Sequence, residues 1–208
     1  MAVSPQLIER REFKYLIDRV TAARVRAAIK PFCVLDPFAA KQATGNYTIR
    51  SLYLDTPSLA LYHANEQEVR NRFKLRIRSY PGVSDSNTFF EVKRRFLDVI
   101  VKERGIAPTR WPSVLEGHDE PAAAQQMEQP ACRSFVSLVR SHACSPVTLV
   151  DYEREPWAST IDDYARITFD TRIRCQPTSR LTLDADEGAW RCVDGSEDFH
   201  DSRALTVL

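Results

Sequence analysis

Lys74, Arg76 and Arg78 recur at every second position of Phe73-Lys74-Leu75-Arg76-Ile77-Arg78. A strand sends successive side chains to opposite faces, so the three cations share one face and Phe73, Leu75 and Ile77 share the other. Adjacent cations on one face repel each other. Such a face either points to solvent or lines a wet cavity that takes an anion. The same phasing recurs elsewhere. Arg10, Glu12 and Lys14 alternate, as do Glu91, Lys93 and Arg95, then Lys102 and Arg104, then Tyr152 and Arg154, then Arg166, Thr168, Asp170, Arg172 and Arg174. Arginine offers planar forks to phosphate oxygens, and lysine offers a point charge. Glu12 and Glu91 are carboxylates on these faces, the oxygen type that a divalent metal takes together with phosphates.

Any one charged strand reads as a solvated sheet face. Recurrence on six strands, opposite apolar residues that want a core, points instead to a cationic site. An antiparallel barrel with helices outside and a ligand in its lumen has this inverted pattern. The bulk charge excludes a generally basic nucleic-acid binder. Lys and Arg total 29 against 28 Asp and Glu, a net charge of +1. The cations must therefore be gathered locally.

The elements that would position them follow from periodicity. Strands are expected over 9–15, 47–55, 68–80, 88–96, 99–104, 146–157 and 166–174, and a strand-like run over 204–208. Residues 18–32 read as a helix with Thr21 as its N-cap, 36–45 as a loop, 58–64 as a short helix and 176–203 as irregular. Helical spacing between 108 and 143 reads as an insert, including the 122–127 run. With 208 residues, 43% hydrophobic, one domain over 1–208 is expected. Five cysteines without a C-x-x-C pair indicate neither a zinc site nor a disulfide framework, and suggest a reducing, cytoplasmic setting. No signal peptide and no membrane-length apolar run is found. The four histidines have no ligand spacing, and with six glycines there is no phosphate-binding glycine loop.

Arg10-x-Glu12-x-Lys14-Tyr15, Ser51-Leu52-Tyr53-Leu54-Asp55-Thr56, Lys74-x-Arg76-x-Arg78-x-Tyr80, Glu91-Val92-Lys93-Arg94, Lys102-x-Arg104, Tyr152-x-Arg154 and Arg166-Ile167-Thr168-Phe169-Asp170-Thr171 occur in that order. The set resembles the VTC domain, the polyphosphate polymerase domain of the triphosphate tunnel metalloenzymes, from about Glu9 to Thr171. The resemblance implies an α+β fold built on an antiparallel tunnel barrel with helices outside. It implies a polyphosphate, tripolyphosphate or ATP ligand, with Mn²⁺ or Mg²⁺. By motif, Lys74, Arg76, Arg78 and Lys93 would be catalytic. Phosphate contacts would come from these four with Arg10, Lys14, Arg95, Lys102, Arg104, Tyr152, Arg154 and Arg166. Glu12 and Glu91 would sit near the metal or orient the lysines. Polymerase members move the γ-phosphate of ATP to a growing polyphosphate; others hydrolyse tripolyphosphate. Members usually continue past a run like Leu205-Thr206-Val207-Leu208 into a Glu-x-Lys strand, so a barrel lacking its last strand is expected. The alternatives are a tripolyphosphate hydrolase, a non-catalytic polyphosphate-binding module and a nucleic-acid-binding β domain. Stacking aromatics interleaved with the basic residues would favour the latter, and along Lys74–Arg78 they fall on the opposite face.

Overall fold

The computed structural model describes residues 12–83, 87–97, 99–118, 128–162, 164–195 and 205–208. The expected α+β class, with an antiparallel sheet and a few helices, is what the structure has. Its strands are β1 (Leu16–Ile17), β2 (Cys33–Leu35), β3 (Tyr47–Asp55), β4 (Asn71–Ser79), β5 (Phe89–Phe96), β6 (Val99–Ile106), β7 (Ser145–Ser159), β8 (Arg166–Pro177), β9 (Arg191–Cys192) and β10 (Thr206–Val207). The hydrogen-bonded order is β1-β10-β8-β7-β3-β4-β5-β6, with β2 on β7 and β9 on β8. Helices are α1 (Arg19–Ile29), α2 (Pro37–Ala40), α3 (Ala60–Glu66), α4 (Trp111–Glu116) and α5 (Pro130–Ser141). Among the described residues no helix is long and apolar enough to cross a membrane.

Chain contacts divide into two units. The first holds Tyr53–Ile77 and Thr88–Val147, with Glu12. Its frame is the β5–β6 hairpin, with Glu91 opposite Arg104 and Lys93 opposite Lys102. Helix α5 packs on both strands. Cys132, Phe135, Val136 and Val139 are its buried stripe, at the spacing that puts side chains on one helix face. Phe135 stacks on Phe90 with ring centroids 4.4 Å apart. Burying each such ring contributes about 1.5–3 kcal/mol. Leu75, Ile77 and Val92 are fully buried with Phe90, so the apolar alternates of β4 and β5 face this core. The N-terminus of α3 is held by Asp55, whose carboxylate accepts from the Leu61 and Tyr62 backbone N–H groups at 2.9 and 2.8 Å.

The second unit holds Phe13–Leu52, Arg78–Asn87 and Thr148–Leu208. Here several expectations fail. Residues 12–15 lie outside any strand; residues 9–11 lie outside the described residues. Strand β1 covers Leu16 and Ile17, opposite Val207 and Thr206, and Tyr15 continues the pairing by exchanging two backbone hydrogen bonds with Leu208. The N-cap of α1 is Asp18, whose side chain accepts from the Thr21 N–H at 2.6 Å, so Thr21 is the donor and not the cap. The 36–45 stretch contains α2, because Asp36 caps the Phe38 N–H and Pro37 occupies the first turn. The irregular 176–203 stretch contains a 3-10 turn at Glu187–Ala189 and strand β9. The 122–127 run lies outside the described residues.

Gly105 shows how tightly α5 seats on the hairpin. A Cβ there would lie 2.4 Å from Cys132 Sγ and 3.2 Å from the Cys132 backbone nitrogen. Gly105→Ala is therefore expected to lower stability by about 1–3 kcal/mol through overpacking. Urea denaturation checks this; an unchanged midpoint would mean that α5 can lift away.

Candidate functional site

In the first unit one carboxylate organises the basic face. Glu91 is 1% exposed. Arg76 donates from Nε to its Oε2 at 2.6 Å. Lys102 Nζ and Arg104 Nε lie 3.1 and 3.4 Å from its Oε1. A buried carboxylate is costly unless paired, and here three cations come to it from β4 and β6. Arg76 also donates to the Tyr53 hydroxyl at 3.3 Å. The Arg104 guanidinium lies over the Phe89 ring, 3.6 Å from its centroid. Lys93 and Lys102 face each other across the hairpin, a like-charge pair that would destabilise it. Glu12 pairs with Lys93 and Glu91 with Lys102, which offsets the repulsion.

In the second unit a separate set forms on the same alternation. Arg78 is 4% exposed and donates to the hydroxyls of Ser51 and Tyr152 at 3.4 and 3.2 Å. Arg154 lies opposite Asp170 in the β7–β8 ladder. It makes two bonds to that carboxylate, at 2.7 and 2.6 Å, the bidentate arrangement of a strong pair. Burial lowers the Arg154 pKa, but the hydrogen bond and charge of Asp170 outweigh it and leave it raised. Burial pushes the Tyr47 hydroxyl up to about 12, against a partial lowering by Arg154. Tyr47, Phe38 and Tyr80 pack edge to face, with centroids 4.8–5.9 Å apart.

One expected alignment breaks. Arg166, Thr168, Asp170, Arg172 and Arg174 do not share a face. The β7–β8 register shifts between Asp151 and Glu153: Glu153 pairs with Thr171, but Asp151 pairs with Arg174. One extra residue on β8 makes a bulge, with Arg172 in the left-handed region at φ 53°. Beyond the bulge the faces swap. Arg172 pairs with Glu153, and Arg174 joins Asp151 and Glu187. That second network includes Arg50, bidentate to Asp151 at 2.8 Å on both bonds. The Arg174 guanidinium lies 4.5 Å from the Trp190 ring centroid. It is a structural cluster on the face away from Arg154.

The other expected residues sort as follows. Lys74 is half-buried and Lys14 is exposed. Arg95 folds back to donate to the Leu97 carbonyl of its own turn. Arg166 is exposed and stands 3.8 Å from Asp36. Arg10 lies outside the described residues. Ser51, Tyr53, Tyr47 and Phe89 were not singled out as site residues. Along β5, period-two counting places Phe89 in step with Glu91 and Lys93; along β3, Tyr47, Ser51 and Tyr53 share the face opposite to Arg50.

Among the described residues no three His, Cys, Asp or Glu side chains gather as a metal cage. Glu12 is engaged by Lys93 and Glu91 by three cations. Each like-charge contact at about 4 Å costs on the order of 4 kcal/mol per unit charge product at an effective dielectric near 20. Three cations beside a divalent ion outweigh one carboxylate. Among the described residues, Glu12 and Glu91 are thus engaged by cations and form no ready cage for Mn²⁺ or Mg²⁺.

A family model described as the VTC domain matches residues 9–206. No curated protein sequence matches. Among solved structures, a candidate adenylate cyclase from Bacillus halodurans is 12% identical, covering 79% of this chain and 71% of that one at a TM-score of 0.42, a likeness too weak to bear on fold or activity.

Two outcomes are expected in the second unit. Asp170→Asn removes the charge partner of a largely buried guanidinium and is expected to cost about 3 kcal/mol in chemical denaturation. Tyr47 has a raised pKa, so its contribution is complete below pH 10 and is lost as pH rises towards about 12. Tyr47→Phe keeps the ring and should flatten that alkaline loss, which thermal melts from pH 9 to 12 would show.

Proposed function

The chain belongs to the VTC domain family, and we propose that it binds inorganic polyphosphate or a triphosphate on its basic strand face and transfers the γ-phosphoryl group of ATP to a polyphosphate chain. The observation that carries this is the trio of Arg76, Lys102 and Arg104 held on one buried carboxylate. Cations fixed in advance need little rearrangement when a polyanion arrives. The guanidinium groups supply planar forks and the lysine a point charge. In the second unit Arg78 and Arg154 are a separate pair of guanidinium groups, held by Ser51, Tyr152 and Asp170. On this proposal residues 1–208 form one domain of the family, with helices inserted at 108–143.

The transfer asks for positioning and charge stabilisation more than for covalent chemistry. A terminal oxygen of the acceptor chain attacks Pγ, the bond from Pγ to the β,γ-bridging oxygen breaks, and ADP leaves. Lys74, Arg76, Lys93 and Lys102 would stabilise the charge on the equatorial oxygens. Mg²⁺ or Mn²⁺ would enter on the phosphate oxygens of the ligand, not on Glu12 or Glu91.

³¹P NMR on ATP and short polyphosphate with the full chain tests the reaction. Growth of the internal polyphosphate signal with matching ADP supports transfer. Orthophosphate alone would mean hydrolysis, and no change with retained binding would mean a polyphosphate reader. Lys102→Ala should weaken tripolyphosphate binding about tenfold or more and lower the melting temperature while the chain still folds, because Arg76 and Arg104 remain at Glu91. Tighter binding of a single-stranded oligonucleotide than of tripolyphosphate would contradict the proposal.

A further inference from the structure

We infer that Glu91 is a positioning residue that orients Arg76, Lys102 and Arg104, and not a ligand of a divalent metal. The inference rests on the polyphosphate reading and deepens it: Glu91 sets which polyanion the site accepts. Three observations carry it. Glu91 is 1% exposed, at the base of the face, whereas the side chains of Arg76, Lys102 and Arg104 are 18%, 43% and 35% exposed. It accepts a hydrogen bond from Arg76 Nε, which fixes the plane of that fork, and its other oxygen lies 3.4 Å from Arg104 Nε. Its two oxygens divide the work, Oε2 taking Arg76 and Oε1 facing Lys102 and Arg104.

A carboxylate in that place subtracts charge from an anion site, so it does not serve raw attraction. What it supplies is order. Three mutually repelling cations would otherwise spread towards water and meet any polyanion equally well. Held on one carboxylate, they present a fixed spacing that suits tetrahedral phosphate groups and not a carboxylate trianion of similar charge. Order in the free site lowers the cost of arranging it on binding.

Calorimetry in EDTA, with tripolyphosphate and citrate as probes, tests this. The wild-type chain is expected to prefer tripolyphosphate. Glu91→Gln should reduce that preference by about tenfold, whatever happens to the absolute affinities, and Glu91→Asp should restore part of it. Arg76→Lys keeps the charge and loses the fork, and should show the same loss even if Glu91→Gln does not fold. An unchanged preference in Glu91→Gln or Arg76→Lys with EDTA present overturns the inference. Mn²⁺ alone, followed by electron paramagnetic resonance, is the second arm. Ion bound by the wild type and released in Glu91→Gln would make Glu91 a metal ligand and overturn the inference while leaving the polyphosphate reading in place. A wild-type chain that binds no tripolyphosphate in either EDTA or Mg²⁺ contradicts the polyphosphate reading itself, and this inference with it.

Discussion

A carboxylate shut away from water must be met by positive charge, and Glu91 is met by three. This one requirement ties together β4, β5 and β6. Arg76 reaches it from β4, and Lys102 and Arg104 from β6, while the other faces of β4 and β5 carry Leu75, Ile77, Phe90 and Val92 into the core. The arrangement works only if register is kept. A one-residue slip of β5 against β6 would send Glu91 into the apolar layer and Phe90 or Val92 to the charged face. Charge and core therefore specify the same pairing, and each penalises the alternatives to the other.

The second unit solves the same problem by different means. Arg78 is held by hydroxyl groups of Ser51 and Tyr152, and Arg154 by the carboxylate of Asp170. Arg78 is thus met by neutral hydroxyl oxygens, and Arg154 by a carboxylate that balances its charge. The bulge at Arg172 then takes Arg172 and Arg174 off this face and gives them to Glu153 and Asp151. The left-handed backbone at a residue with a side chain costs something, of order 1–2 kcal/mol, and the Arg50–Asp151–Arg174 cluster is what stands on the other side of that cost.

Much of the sheet was legible in the sequence for a simple physical reason. Where one face is core and the other is charged, alternation marks both the strand and its orientation. Residues 47–55 read as a strand with the observed ends, and the basic alternation of β4, β5 and β6 was visible from Lys74, Glu91 and Lys102. Where burial is one-sided and short, the signal fails. β1 and β9 have two residues each, and α2 is set by a cap at Asp36 and a proline, not by periodicity. The β8 bulge was invisible because it depends on a partner strand: nothing local in Thr171-Arg172-Ile173 demands an extra residue. Charge type was legible at Glu91, but its neighbours were not, so a carboxylate among cations and a carboxylate at a metal looked alike. The VTC match over residues 9–206 agrees with the motifs but does not choose between those two roles.

The central claim is that arginines anchored on Glu91 form the phosphate-binding face. The most direct test is ¹H–¹⁵N NMR of arginine Nε–H groups during a tripolyphosphate titration, with Arg76 and Arg104 assigned by substitution. The account predicts that these two resonances move together and saturate with the ligand, while Arg50 and Arg174, both paired with Asp151 in the second unit, stay still. Saturable binding that moves Arg50 and Arg174 and leaves Arg76 and Arg104 in place would contradict it.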